Sequence, residues 1–398
     1  MVAEPDIQTG ERVDRVPKGL VGLLTTGMGL AMFVLFALGA LGPSLLAELD
    51  ITRSQLGTLT AVAFGTASLL SLYAGHLTDL LGGRWTLVAM LVTIAVAFTA
   101  LSAGGTYGWL LVALVLAGLA QAFANPSTNR LIATHLPPAR RPAAIGVKQS
   151  GVQFGAFAAG LLIPTLASVL DWRIALALVI PVALAAAVAA AGLPADRPEG
   201  VRPAGSLLPE APNAAARWLV VYSLGVGTGL AALNTYLPLY AHEELGLTAR
   251  TAGALVAALG ASGIVARVLW TRYSGRLADI SVALVTLAAV AVGFVALIPL
   301  AESATALVWA GAIGLGGSAV AANAVSMVAV VRSPAFGATG HASALVSMGF
   351  FGGFVVGPLA FGLLADGSGG YTAGWTLVGV AFLTSVVCGL QVRRAVRA

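Results

Sequence analysis

The chain of 398 residues has one cysteine, Cys388, and two lysines, Lys18 and Lys148. A single cysteine excludes an internal disulfide and any cysteine-based metal site. The four histidines, His76, His135, His242 and His341, show no ligand spacing, so no metal or other cofactor is expected. No phosphate-binding glycine loop, nucleophile triad or metal motif stands out, which counts against an enzyme. Charge is scarce too. Asp, Glu, Lys and Arg make up 9% of residues, far below what a soluble surface needs. The polar start lacks an apolar stretch directly behind it, so residues 1–18 read as a cytoplasmic tail and not as a signal peptide.

Apolar residues fill the space that charge leaves. They make up 58% of the chain, and the mean hydropathy is +0.94. Such a surface suits a bilayer, and 49 glycines suit helices that pack closely inside one. Apolar stretches of spanning length recur twelve times, near 20–46, 55–76, 85–103, 108–135, 142–169, 173–193, 217–240, 251–274, 280–300, 305–331, 341–364 and 374–392. Each supplies the roughly 20 residues that a ~30 Å hydrocarbon core requires. The expected fold is all-α, a polytopic membrane protein of twelve transmembrane helices. The net charge of +5 and the pI near 9.7 fit membrane topology and not nucleic-acid binding. With the N-terminus inside, 15 basic residues fall in cytoplasmic segments, and only Arg53, Arg173 and Arg250 fall in outer loops. That asymmetry puts both termini in the cytoplasm. Arginine outnumbers lysine 19 to 2, a hint of a GC-rich bacterial genome and hence of a bacterial inner membrane.

Residues 194–216 hold five prolines and no periodicity, and read as a cytoplasmic linker. The linker separates an N-terminal six-helix bundle (19–193) from a C-terminal one (217–392), and a short tail (393–398) follows. The halves repeat. "ELDITRSQLGTL" (48–59) matches "ELGLTARTAGAL" (244–255) at an offset of 196, and Gly151 and Gly155 meet Gly349 and Gly353 at 198. Parallel six-helix repeats place a binding site at their pseudo-symmetric interface. The glycine spacing on those two spans reads as close helix contact. Trp109, Trp172, Trp218 and Trp375 lie near span ends and read as interfacial anchors.

After the second span comes "AGHLTDLLGGRWTLV". Gly75, Asp79, Gly83 and Arg84, with Leu77 and Gly82, resemble the loop 2–3 signature of the major facilitator superfamily. With twelve spans and a long central loop, the resemblance covers essentially the whole chain. It implies a transporter of two rocking six-helix bundles. It also implies that Asp79 holds one access state closed against the other half, partly through a helix N-terminus. The glycines would let the second span approach a neighbour closely. A solvated tight turn is the plainer reading. At the offset of 196 the second half pairs this hinge with "TRYSG" (271–275), so its copy has lost the Gly and the Asp; an offset of 200 would pair it with "GRLAD" (275–279). The family's fourth-span arginine before Gln-Gly is absent, and "LAGLAQAFANP" stands there.

All sixteen carboxylates lie in tails, loops or span ends, whereas three cations lie deeper. At 1.5 Å per residue, Lys148 is about 9 Å, Arg267 about 10 Å and Arg130 about 8 Å from the cytoplasmic ends of their spans. Uncompensated cations at such depth are costly, and an anionic ligand is the natural compensation. Arg267, in "ARVLWT", looks like the eighth-span arginine of monocarboxylate and oxalate/formate carriers in the same superfamily, where it holds a substrate carboxylate. Guanidinium offers carboxylate a bidentate fork, and lysine offers a point charge. Gln149, Asn125, Asn234, Tyr236 and Asn323 could add neutral hydrogen bonds, as could Gln153 and Asn129. The alternative is that each cation snorkels to the headgroups. The cluster His242, Glu243 and Glu244 is the best remaining candidate for a coupled proton, against a merely solvated helix end. The expectation is a monomeric secondary transporter that moves a small organic anion, such as a carboxylate, by alternating access. Efflux of hydrophobic or cationic drugs by proton antiport is the alternative, and a transport-inactive receptor on the same fold is a third reading.

Overall fold

The computed structural model describes residues 17–194, 212–274, 276–277, 279–337 and 339–397. The tail before residue 17, the linker between 195 and 211, and Gly275 of the second candidate hinge lie outside the described residues. Among the described residues the regular structure is entirely helical. In order come α1 (Leu20–Ala40), α2 (Gly42–Leu49), α3 (Arg53–Leu81), α4 (Gly83–Ala103), α5 (Tyr107–His135), α6 (Arg141–Val169), α7 (Trp172–Ala177) and α8 (Val179–Ala191). Then follow α9 (Ala214–Glu243), α10 (Ala249–Ser274), α11 (Ile280–Leu300), α12 (Ala306–Arg332), α13 (Thr339–Asp366) and α14 (Gly370–Arg397). Eleven helical segments are long and apolar enough to cross a membrane, and bent α3 makes a twelfth. Hydrocarbon offers the backbone no partners, so spans must satisfy their hydrogen bonds internally, as a helix does.

The sequence marks several helix starts chemically. Thr52 and Gln55 form a capping box at α3, Thr106 caps α5 and Asn213 caps α9. Four boundaries differ from expectation. The first span breaks at Leu41, beyond which α2 is a separate short helix. The sixth span is built from α7 and α8. Because Asn213 caps it, α9 begins at Ala214, inside the expected linker. At the other end α14 continues to Arg397 through the expected tail, since Asp279 takes Arg393 at 3.0 Å and Arg397 at 2.8 Å. Asp279 also caps α11 through Ser281. Burial pushes its carboxyl up, but the bonds from Ser281, Arg393 and Arg397 outweigh this and hold it below the usual range.

The same helix pairs pack in both halves. α1 lies on α6 and α9 on α13; α3 lies on α5 and α10 on α12. The glycine spacings make these contacts backbone to backbone. A Cβ at Gly155 would lie 2.9 Å from the Gly29 carbonyl, and one at Gly349 2.5 Å from the Val220 carbonyl. The two halves meet through α3 with α13 and α6 with α10. The face where α1 begins and α14 ends is called the terminus face below, and the other the opposite face.

Two expectations about single residues fail. Gly75 is no close-approach glycine, because a Cβ there meets nothing within 4 Å. Instead α3 bends by 59° between its Arg53–Ser71 and Tyr73–Leu81 parts. At the bend the Ser71 hydroxyl donates to the Ser68 carbonyl at 2.8 Å, competing with the backbone ladder. Trp172 and Trp375 are each 3% exposed and are not interfacial anchors, whereas Trp109 and Trp218 are exposed. Trp172 donates to Glu48, and Trp375 packs edge-on against Phe361 and Tyr240.

Candidate functional site

Lys148 is 0% exposed, so it does not snorkel. Its Nζ donates to Thr128 Oγ1 at 2.7 Å and to Asn125 Oδ1 at 3.2 Å, both on α5. Thr128 donates its own proton to the Ala124 carbonyl at 2.5 Å, which leaves a lone pair for the ammonium. Asn125 Oδ1 also accepts from Gln149 Nε2 at 3.3 Å. From the other half, Arg267 Nη1 donates to the Gln149 backbone carbonyl at 3.1 Å. Helices α5, α6 and α10 thus bring Asn125, Lys148, Gln149 and Arg267 together at two consecutive residues of α6. Among the described residues Lys148 has neutral partners only. A buried ammonium held by two neutral oxygens carries a desolvation cost that a bound anion would offset.

The remaining candidates are distributed elsewhere. Arg130 pairs with Asp79 at 2.8 Å, which ties α5 to the hinge motif at the end of α3. That pair lies within the first half, while the resemblance put Asp79 against the second. Arg84 Nη1 donates to the Leu193 carbonyl at 3.0 Å, and its guanidinium lies over the Trp85 ring at 4.8 Å. Gly83 is buried at the start of α4. Asn323 sits on α12, one turn beyond Val320, which packs against Gly263 of α10.

Tyr236 and Asn234 belong to a seal between the halves at the opposite face. Tyr236 Oη lies 2.6 Å from the Arg53 carbonyl of α3 and 2.9 Å from the Pro358 carbonyl of α13, so its one proton is committed there in this structure. The Asn234 carbonyl presses on Gly39 of α1, and its amide donates to Leu230 at 2.7 Å. The seal is closed by charge. Glu243 Oε2 takes Arg53 Nη2 at 2.7 Å, Arg53 Nε at 3.0 Å and Tyr371 Oη at 2.8 Å. Asp366 accepts from the Arg53 and Ser54 amides at 3.1 and 2.8 Å, a carboxylate on a helix N-terminus. Glu243, a candidate proton site in the sequence, is held in this ion pair, here called the latch; His242 Nδ1 lies 2.7 Å from the Leu247 carbonyl. Phe64 stacks on Phe351 and meets Phe354 at a tilt just inside the seal.

Gly57 shows how tight this seal is, since a Cβ there would collide with the Pro358 carbonyl and the Tyr236 hydroxyl. Gly57→Val is expected to keep the opposite face from closing and to stop transport, measured as uptake into vesicles at matched protein level. Normal uptake by the variant would mean that α3 and α13 need not meet.

Thr128 and the latch partners Arg53, Tyr371 and Asp366 are the residues that sequence reasoning missed. Thr128 carried one signal: it lies three residues from Asn125, on the same face of α5.

Comparison with known proteins follows the same lines. The family model described as Major Facilitator Superfamily matches residues 24–336. The hexuronate transporter of Escherichia coli K12 is 27% identical over 156 residues, 39% of this chain and 36% of that protein. The galacturonate transporter of Dickeya chrysanthemi is 28% identical over 149 residues, 37% of this chain and 41% of that protein. The chain thus spans about two fifths of the length of these curated relatives. A solved structure superposes with a TM-score of 0.72 at 14% identity, covering 95% of this chain and 96% of its own. It is a bacterial homologue of the human lysosomal transporter Spinster, in an inward-facing, unoccupied conformation.

Proposed function

The chain belongs to the major facilitator superfamily, and from that premise we propose that it is a secondary transporter of a small organic anion, a carboxylate. The observation that carries the reading is Lys148, fully buried, with only neutral oxygens for partners among the described residues, and one residue from the backbone atom that Arg267 holds. In this reading Arg267 grips the carboxylate with its fork and Lys148 balances its charge. Asn125 and Thr128 hold Lys148 in place, and Asn125 also orients the Gln149 side chain. The names of the hexuronate and galacturonate transporters, both sugar carboxylates, support the same substrate class.

Alternating access supplies the mechanism. The halves are latched at the opposite face by Arg53, Glu243, Tyr371 and Asp366. Toward the terminus face, Leu69 and Tyr73 of α3 and Met348 of α13 are exposed, so the substrate route opens there. The excess of arginine on that face makes it the cytoplasmic one, with both termini inside. Binding draws the two halves together across α6 and α10. Rocking then parts the latch and opens the route on the other side.

The test is the thermal stability of the purified protein against a panel of carboxylates and lipophilic cations. A ligand that binds only the folded state raises the melting temperature by mass action. A carboxylate is expected to raise it, and a response to lipophilic cations alone would replace this reading with drug efflux.

A further inference from the structure

Two buried glutamines lie one helical turn beyond the cations: Gln153, a neutral candidate in the sequence, and Gln121, which has had no part so far. Gln121 of α5 is 8% exposed and Gln153 of α6 is 5% exposed. The Oε1 of each finds no hydrogen-bond partner among the described residues. An unpaired buried acceptor is costly, so two at one level call for a donor.

Helix register sets them at one level on α5 and α6. α5 and α6 run antiparallel, and Asn125 bonds Gln149 between them. Four residues back on α5 is Gln121, and four residues on along α6 is Gln153. Both therefore lie one turn beyond Asn125 and Gln149 toward the opposite face, about 6 Å along the helix axes at 1.5 Å per residue. Gln121 is anchored on α1, where its Nε2 donates to Met32 Sδ at 2.9 Å. Gln153 packs at the junction with α10 and α12: its Cγ and the Val320 methyls lie 3.1 to 3.3 Å from where a Gly263 Cβ would stand. That junction also fixes Asn323. Gly316 abuts Leu259 and Ser262, and Val320 abuts Gly263, so α10 and α12 are parallel and in step. Asn323 then falls at the level of Arg267, and its Oδ1 too has no partner among the described residues.

From this arrangement we propose that Gln121 and Gln153, with Asn323 beside Arg267, form a hydroxyl-recognition subsite that makes the transporter specific for polyhydroxylated carboxylates. The inference rests on the carboxylate reading above. The cations take one end of the substrate. The amide oxygens, about 6 Å on, accept hydrogen bonds from hydroxyls on its body, at the reach of a pyranose ring from its own carboxylate. A site built around acceptors rejects an analogue without hydroxyls, because that analogue leaves the acceptors buried and unpaired. Plain carboxylates of equal size are therefore poor substrates.

The experiment compares D-galacturonate with cyclohexanecarboxylate, which has a carboxylate on a six-membered ring and no hydroxyls. Binding to the purified full chain is measured by calorimetry for the wild type and for Gln121→Met and Gln153→Met, which keep volume and remove the amide. The wild type is expected to bind galacturonate at least about ten-fold more tightly. Each variant is expected to lose about ten-fold for galacturonate while keeping its affinity for cyclohexanecarboxylate. Equal wild-type affinities, or variants that weaken both ligands alike, overturn the subsite and leave the carboxylate clamp standing. Should a variant not fold, the wild-type preference alone decides. Binding of neither ligand overturns the clamp itself, and the subsite with it.

Discussion

Lys148→Met or Arg267→Ala is expected to abolish carboxylate transport while leaving the protein folded and in the membrane. Removing one partner of a buried ion pair normally destabilises a protein, because it strands the other charge. Lys148 strands nothing. Its partners are Asn125 Oδ1 and Thr128 Oγ1, and Asn125 keeps its bond from Gln149. The melting temperature of Lys148→Met is therefore expected to stay level or rise. Affinity moves the other way. Truncating one member of a buried, hydrogen-bonded charge pair costs roughly 2 kcal/mol or more, about thirty-fold in binding. Arg267→Lys keeps the charge but loses the fork, so it is expected to fall between Arg267→Ala and wild type. Uptake of labelled carboxylate in vesicles, read beside the melting temperature, tests the set. Undiminished uptake in Lys148→Met would remove the clamp from the mechanism.

Glu243→Gln is expected to unlatch the opposite face. One oxygen of Glu243 accepts from Arg53 twice and from Tyr371 once, and Arg53 also lies over the Tyr371 ring at 4.7 Å. The ion pair is partly exposed, with side-chain exposures of 30% and 27%, so its Coulombic part is discounted for solvent. As a network of charge, aromatic face and hydroxyl it is worth about 1–2 kcal/mol, roughly a ten-fold shift between access states. Thr60 of α3 meets Thr235 of α9 across the halves at 3.4 Å and is 1% exposed. A Thr60→Cys probe is expected to react with a membrane-impermeant maleimide about ten-fold faster when Glu243→Gln is added. The sole native cysteine, Cys388, is buried and adds little background. An unchanged labelling rate would mean that the packing around Gly57 and Phe64 closes the face without the latch.

The features that the sequence announced are those set by length, periodicity and charge sign. Spans follow from apolar runs of bilayer length, and the glycine spacings of α6 and α13 produced the backbone contacts they advertised. Lys148 and Arg267 could be picked out because a lone cation inside a span is conspicuous. Other features depend on what lies across a tertiary gap. Nothing local shows that Tyr236 will find the carbonyls of residues 53 and 358, more than a hundred residues away in either direction. Trp172 looked like an anchor because it stands near a span end, yet Glu48 and the packing of α7 draw it inside. Arg130 and Asp79 were both singled out, but their pairing needed the α3–α5 contact to be seen. Gln153 was among the neutral candidates, but Gln121 gained meaning only from the antiparallel register of α5 and α6.

The carboxylates that the structure shows in ion pairs sit at one face or the other, at Glu48, Asp79, Asp171, Glu243 and Asp279, while the middle holds Lys148 and Arg267. Electrically, the empty carrier presents a positive centre to the field across the bilayer, and a bound monocarboxylate leaves that centre one charge less positive. Each elementary charge carried through the full potential is worth about 2.3 kcal/mol per 100 mV. On the proposed cycle, membrane voltage acts unequally on the two strokes. The return of the empty carrier is the stroke that feels it most.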